Sequence, residues 1–351
     1  MPTYWFDTGI GPTFRSWHFG NRGDAAGCTK DNANSQWILI ARREHNTNIW
    51  HKITEIWQAR HTIDALRMSV NPETGRPWLT AEEAAAVTVV FEDDRQEPFD
   101  HLWTVATGNT PIRMSSLEPD TCFGNVIIPL AGSSSPFWTA LLEDVYHETC
   151  RTQTLLSAWV RRVFNFLEVT PRPATEVHAN PTITIVERAK TRKFISLDRW
   201  VETLRSRYPK SNITVVDFAA ISLQEQLRLV QETDVFVGHH GAAMTHTIFL
   251  PPEAAVVEIL PPVFPMRGFR SLARMRGLAH FGMNCMWPEE WNNTVNGVPL
   301  PEGWIPPKDP VGWQTAEWTY MTDDQFLGIV DAAVRNQMNK RYQFPQCAPD
   351  C

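Results

Sequence analysis

From Pro181 onward the chain alternates short runs rich in β-branched residues with helical stretches, and no other feature restricts its fold as strongly. Thr182 to Glu187 is a β-rich run, after which Leu197, Trp200, Val201 and Leu204 form one helical face behind Ser196, a candidate N-cap. Ile213 to Asp217 predicts a second strand. Ser222-Leu-Gln-Glu225 has capping-box spacing and opens a helix with Leu223, Leu227 and Val230 inward. Asp234 to Gly238 and Ala254 to Leu260 predict a third and a fourth strand. Strands and helices in alternation mean βαβ units, a parallel sheet and a doubly wound α/β domain whose ligand site lies at the carboxyl ends of the strands.

The chain has 351 residues, more than the roughly 250–300 that one core usually organises, so two domains are expected, with a cleft between them as the place to look for a site. Residues 1–170 mix strand-like runs (Trp37 to Ala41, Val87 to Phe91, Val126 to Pro129) with helices. An amphipathic stretch from Trp138 to Phe164 predicts one or two helices. It ends at Thr170-Pro171-Arg172-Pro173, and residues 171–181 read as a linker. The second domain then occupies 182–320, with a Trp-rich, irregular approach from Met286 to Trp318. In 321–351, Thr322-Asp-Asp-Gln325 opens a closing helix with Phe326, Leu327, Val330, Ala333, Val334 and Met338 on its apolar side.

Lys and Arg number 32 against 39 Asp and Glu, a net charge of -7, which removes the electrostatic footprint that nucleic-acid binding needs. No window reaches the ~18–20 consecutive apolar residues of a membrane span. The N-terminal MPTYWFDTGIGPTFRSW has no charged-then-apolar leader, so no export signal is visible in the sequence as it stands. Six cysteines without a CxxC pair argue against zinc ribbons and thioredoxin-like chemistry, and leave any disulfide pattern open. The Asn212-Ile-Thr and Asn292-Asn-Thr sequons acquire glycans only in a secretory compartment. The 15 Trp are an unusual number; indoles serve either as core or as faces for sugar rings.

Two segments carry chemistry in the second domain. In Val235-Phe-Val-Gly-His-His-Gly-Ala-Ala-Met-Thr245 a buried strand empties into a turn of small residues leading to the next helix. Backbone N–H groups there stabilise negative charge, and Gly241, Ala242 and Ala243 let a diphosphate approach. The turn is neither GxGxxG nor a Walker loop. His240 either donates to a phosphate or leaving-group oxygen or is a turn histidine bonded to backbone, and the spacing of His239, His240 and His246 matches no zinc pattern. The second segment is Glu187-Arg188-Ala-Lys190-Thr-Arg192-Lys193 after the first strand of that domain, four cations that either meet a ligand's phosphates or form a solvated basic turn. Both fall at carboxyl ends of parallel strands of one sheet. Glu258, in the fourth strand, is either a ribose ligand or a strand terminus. In the first domain Asn48, His51 and Glu55 share one stripe of a helix, where His51 and Glu55 either form a general-base pair or face solvent. Glu92-Asp93-Asp94 reads as a strand-end turn rather than a metal site.

The run GHHGAAMTHTIFLPPEAAVVEIL resembles the HGAGLT-x-x-x-FLPP-x-A-x-V-x-E signature of glycosyltransferase family 61, and IVERAKTRKFISLDRW resembles that family's R-x-x-x-R-K/R stretch. Asn48-Ile-Trp-His51-Lys-Ile-Thr-Glu55 resembles its N-x-x-H-x-x-x-D segment. Ala243 stands where the family has glycine, Glu55 where it has Asp, and Ser196 where it has Asn. The resemblance implies a GT-B fold of two Rossmann-like domains and inverting, metal-independent transfer of a sugar from a UDP-sugar, without a cofactor. It implies that Arg188, Arg192 and Lys193 serve the diphosphate, that His240, Gly241, Ala242, Ala243 and Thr245 form the donor loop, and that Glu258 lies near the ribose. His51 and Glu55 are the candidate catalytic residues, His51 first. N-acetylglucosamine transfer to a protein Ser or Thr in the endoplasmic reticulum or Golgi lumen is the leading expectation. Pentose transfer to a polysaccharide, or a non-catalytic UDP- or glycan-binding role, are the alternatives.

Overall fold

The computed structural model describes residues 8, 10–17, 33–44, 47–119, 121–139, 153–173, 179–286, 294–295, 297–309 and 312–340. They fall into two compact units, 1–139 and 140–351.

The first unit is built on strands β1 (Asn34–Ala41), β2 (Thr88–Phe91), β3 (Ile112–Arg113) and β4 (Phe123–Ile127), in the order β3-β2-β1-β4. Every pairing is parallel. β1 buries its last four residues, Ile38 to Ala41, and its carboxyl end leads to helix α1 (Ile49–Met68). Asn48 caps α1 by accepting from the Trp50 N–H. From Ile49 to Ala59 every residue of α1 is buried, so its polar stripe is enclosed rather than solvent-facing. A chain reversal of strand order between β1 and β4 makes their carboxyl ends the crevice where α/β sheets bind ligands.

In the second unit, helix α2 (Thr154–Phe166) precedes β5 (Ile183–Val186), α3 (Leu197–Arg207), β6 (Ile213–Val216), α4 (Leu223–Gln231) and β7 (Val235–His239). β8 (Ala255–Leu260), α5 (Gly268–Met275), β9 (Ala279–Asn284) and α6 (Asp323–Met338) complete it. The sheet is parallel throughout, in the order β9-β8-β7-β5-β6. Four of its strands match the runs expected from sequence. β9 is an addition, because its sequence AHFGMN is only partly buried and lacks a β-branched run. With β9 the order is the flavodoxin-like 2-1-3-4-5, and the switch point lies between β5 and β7.

α3 and α6 pack the sheet's other side, with Trp200 stacked on Phe326 at 4.1 Å. Burying such a side chain fully contributes roughly 1.5–3 kcal/mol. Trp159, Trp200 and Trp313 are core residues, at 1%, 1% and 2% exposure. The capping boxes at Ser222 and Thr322 are both complete. Ser196, by contrast, makes no side-chain cap bond to α3.

The unit boundary precedes α2, earlier than the expected 170. Phe164 meets Phe249 at 5.9 Å and the Leu167 carbonyl accepts from Gln224 at 2.6 Å, so α2 belongs to the second unit. The Pro-rich break is likewise docked inside that unit: the Arg172 guanidinium reaches Asp234 at 2.7 Å. The closing helix α6 packs on β8 and β9 of the same sheet rather than standing apart. Residues 140–152, 174–178 and 341–351, which carry parts of the predicted amphipathic stretch, linker and tail, lie outside the described residues. Cys122 is disulfide-bonded and Cys285 is a buried free thiol.

Candidate active site

At the switch point of the second sheet, β5 runs into the basic turn and β7 into the His240–Ala243 loop, so the two predicted segments meet on neighbouring strands. Gly241 has φ 140° and ψ -163°, a conformation that a side chain strains. The Arg192 guanidinium fills the space beside it: a Cβ on Gly241 would sit 2.7 Å from Nη1. That same Nη1 donates to the His240 carbonyl at 2.5 Å. Ala242 and Ala243 open a 3₁₀ segment, Ala242–Phe249, rather than an α-helix, and remain partly exposed. Ala243 is absent from the positive-φ residues, so a methyl group there costs no backbone strain.

Arg192 is 8% exposed, holds φ 56°, and leaves Nε buried without a partner. Burial, and then the neighbouring Arg188, push its guanidinium down to about 9. A guanidinium keeps its proton in proteins, so this is the signature of a buried cation that lacks a counter-charge. Arg188 is half-buried and also shifted down by burial, with Asp217 acting the other way. Lys193 departs from expectation. Its Nζ pairs with Glu317 at 2.7 Å and lies 3.9 Å from the Trp318 ring centroid, which removes it from the cationic cluster. Thr245 also departs, being fully buried inside the 3₁₀ segment with an unpartnered hydroxyl.

Glu258 lines a polar cavity at the ends of β8 and β9, yet it is 1% exposed and both oxygens are occupied, by His240 Nδ1 at 2.6 Å and His280 Nε2 at 2.8 Å. Burial pushes this carboxyl up, but the two imidazole hydrogen bonds outweigh it and hold it below the usual range. His280 carried no motif; only the parallel pairing that sets Gly282 against Glu258 brings its ring there. His239 is buried, stacked on Phe194 at 4.4 Å, and kept neutral by burial and then by Arg192. Burial likewise lowers His246, to about 4, while its Nδ1 donates to the Ala243 carbonyl.

In the first unit, His51 and Glu55 do not pair. The loop after β1 brings Glu44 between them: His51 Nδ1 meets Glu44 Oε2 at 2.6 Å, while the Glu44 N–H donates to Glu55 Oε1 at 2.6 Å. Sequence spacing found the helix stripe but not Glu44, which reaches it from the loop after β1. Lys52 donates to the Glu44 carbonyl and pairs with Glu97 at 2.7 Å and Glu55 at 3.4 Å. Burial is the main cause that raises Glu55 to about 8, against the pull of Lys52. Glu55, and not His51, lines a water-sized cavity of about 10 Å³ over the carboxyl ends of β1 and β4, together with Arg42, Trp103 and Gly132. His51 instead faces Trp138, ring to ring at 5.1 Å.

The acidic run after β2 is committed to structure. Glu92 accepts from Trp17 at 3.0 Å, Asp94 from Ser115, and Asp93 from the buried Arg43 and from Arg95. Burial opposes the Asp93 charge, but those arginines hold its carboxyl far below the usual range. Among the described residues no group of three or more His, Cys, Asp or Glu has the arrangement of a metal site, and no helix is long and apolar enough to cross a membrane.

Two parallel α/β units, one with a basic turn and a small-residue loop meeting at its switch point, define the class of the protein. A family model described as Glycosyltransferase 61 matches residues 42–257, more than half of the chain, and the chain belongs to that family. The EGF domain-specific O-linked N-acetylglucosamine transferase of Xenopus laevis is 35% identical over 133 residues, covering 37% of this chain and 25% of the relative. The protein of that name from Drosophila melanogaster is 24% identical over 237 residues, covering 65% and 41%. A Beta-1,2-xylosyltransferase of Arabidopsis thaliana is 32% identical over 93 residues, covering 26% and 17%. The matches thus span less than half the length of these relatives.

Proposed function

We propose that this protein is an inverting UDP-glycosyltransferase that needs no metal and transfers a sugar, with N-acetylglucosamine as the leading candidate, to a Ser or Thr hydroxyl of a protein. One observation carries the reading: a buried, carboxylate-free guanidinium, Arg192, with Arg188 beside it and the Gly241–Ala243 backbone in front of it, at a sheet switch point. Such a site suits a diphosphate, because two guanidinium groups and oriented N–H dipoles supply the charge that a metal supplies elsewhere. The leaving UDP is stabilised there as the bond to the anomeric carbon breaks. The acceptor's proton goes to Glu55, whose elevated value near physiological pH suits a general base and which lines a cavity at the other unit's switch point. His51, tied to Glu44, shapes that network rather than taking the proton.

The relatives named for N-acetylglucosamine transfer to EGF domains support the sugar and the protein acceptor. The disulfide at Cys122 supports an oxidising compartment such as the endoplasmic reticulum or Golgi lumen. A second reading, pentose transfer to a glycan, is favoured by the xylosyltransferase relative. A UDP-release assay across UDP-sugars, with protein and glycan acceptors, separates the two. Calorimetric UDP binding without release on any acceptor would instead identify a non-catalytic relative, and absence of UDP binding sinks the donor site itself.

A further inference from the structure

Glu258 sits at the centre of a three-residue chain, His240 Nδ1, then the two oxygens of Glu258, then His280 Nε2, of which the family signature holds His240 and Glu258 but not His280. The carboxylate is deprotonated, so it accepts from both rings and fixes both tautomers. His240 gives Nδ1–H to Glu258, which leaves Nε2 as the ring's outward nitrogen. Among the described residues that atom has no hydrogen bond, and its side chain is still 12% exposed. The edges of Phe264 and Phe269 hold the ring from two further sides, at 4.9 and 5.2 Å between centroids. His280 lines a polar cavity of about 460 Å³ over the ends of β8 and β9, with Arg267, Arg270 and Asn284.

The charged and titratable groups around the His240 ring are Glu258 from β8 with His280 of β9 on its second oxygen, His239 before it on β7, and Arg192 from the basic turn, which touches the His240 carbonyl. The segment and helix that pack Phe264 and Phe269 on the ring also carry Arg267 and Arg270, which line the cavity beside Glu258 and His280. One anion thus faces Nδ1, and the Arg192 cation lies on the backbone side where a diphosphate would be held.

We propose that Glu258 and His280 are positioning residues that make His240 a proton carrier at the donor site, so that binding of UDP is coupled to uptake of a proton at His240 Nε2. The proton comes from solvent, no covalent bond changes, and the resulting N–H donates to a phosphate oxygen while Glu258 compensates the ring's positive charge. This rests on the UDP reading above, which places the diphosphate beside Arg188 and Arg192. His280 holds the second oxygen of Glu258, so that the carboxylate stays ionised and aimed at His240 inside the sheet.

Titration calorimetry with UDP at pH 8, in buffers of different ionisation enthalpy, counts the protons. At that pH the terminal phosphate is already ionised and contributes none, its second pKa being about 6. Wild type is expected to take up about half a proton or more per UDP, and Glu258→Gln to bind about tenfold more weakly with the uptake lost. His280→Gln, whose amide donates as the imidazole does, keeps the wild-type count, and His280→Leu does not. Should Glu258→Gln fail to fold, the two His280 variants decide. UDP binding with equal proton counts in wild type and Glu258→Gln, or in His280→Gln and His280→Leu, overturns the proposal and leaves the donor site standing. Absence of UDP binding by wild type overturns both.

Discussion

Gly241 and Arg192 fit against each other with no room to spare: a Cβ on Gly241 would lie 2.7 Å from Nη1 and 3.1 Å from Cζ of the buried guanidinium. The φ of 140° at Gly241 adds backbone strain to that clash. Gly241→Ala is therefore expected to fold with a loss of about 1–3 kcal/mol and to weaken UDP binding by tenfold or more. Calorimetry beside a thermal melt checks this, and unchanged affinity would mean that Arg192 does not depend on the loop for its place.

Arg192 lacks a carboxylate partner, so its burial costs the unliganded fold. Arg192→Met is expected to abolish UDP binding while raising stability by about 1 kcal/mol, or about 2–4 °C in Tm. Arg188→Ala loses binding with little change in Tm. Lys193→Ala leaves UDP affinity within about twofold, because its ammonium is spent on Glu317 and Trp318. A large loss of affinity in Lys193→Ala would return that residue to the donor site.

Glu55 is raised from 4.5 to about 8 in the folded state, so the native protein holds its proton more tightly than the unfolded chain does. The stability this supplies is complete below about 4.5 and is lost as pH rises through about 8. Glu55→Gln should remove that decline, making the melting temperature flatter between pH 5 and 9 than in wild type, when followed by circular dichroism. With Glu55 as the base, kcat/KM rises with pH toward about 8 in wild type and falls roughly 10²–10⁴-fold in Glu55→Gln. Full activity in that variant would remove Glu55 from the mechanism.

His51 and Glu44 form a buried pair at 2.6 Å, and removing one partner strands the other. His51→Leu is expected to cost about 1–3 kcal/mol in urea denaturation. The double variant His51→Leu/Glu44→Leu should recover part of that loss. Additive losses instead would show that the two side chains act independently.

The Gly132 loop approaches the same helix closely: a Cβ there would meet Glu55 Cγ at 2.9 Å and the Glu55 nitrogen at 3.0 Å. Because backbone cannot yield as a flexible side-chain tip does, Gly132→Ala should displace α1 or the loop. The expected readout is a loss of turnover with UDP affinity preserved, since the proposed donor residues lie in the other unit.

Much of the second unit was legible because its signals are local. Strand runs such as Ile183 to Val186, the Ser222 and Thr322 capping boxes, and the small-residue turn at Gly241 are decided within a few residues, where β-branched side chains, hydroxyl caps and glycine geometry act on neighbouring backbone. β9 escaped, since Ala279 to Asn284 becomes a strand only by pairing with β8. The boundary near 139 escaped as well, because two prolines read as a linker even where Arg172 docks the break onto Asp234.

The sequence by itself determined the parallel α/β architecture of the second unit and the glycosyltransferase family, and it singled out Arg188, Arg192 and the His240–Ala243 loop, which follow neighbouring strands of one sheet. Only the tertiary structure decided which side chains meet: Glu44 rather than Glu55 on His51, His280 as well as His240 on Glu258, and Glu317 on Lys193. The reason is one of range. Propensity, capping and periodicity act over one turn of helix or one strand, whereas the partner of a buried charge is chosen by whichever element the fold packs against it, from 7 residues away for Glu44 to 124 for Glu317.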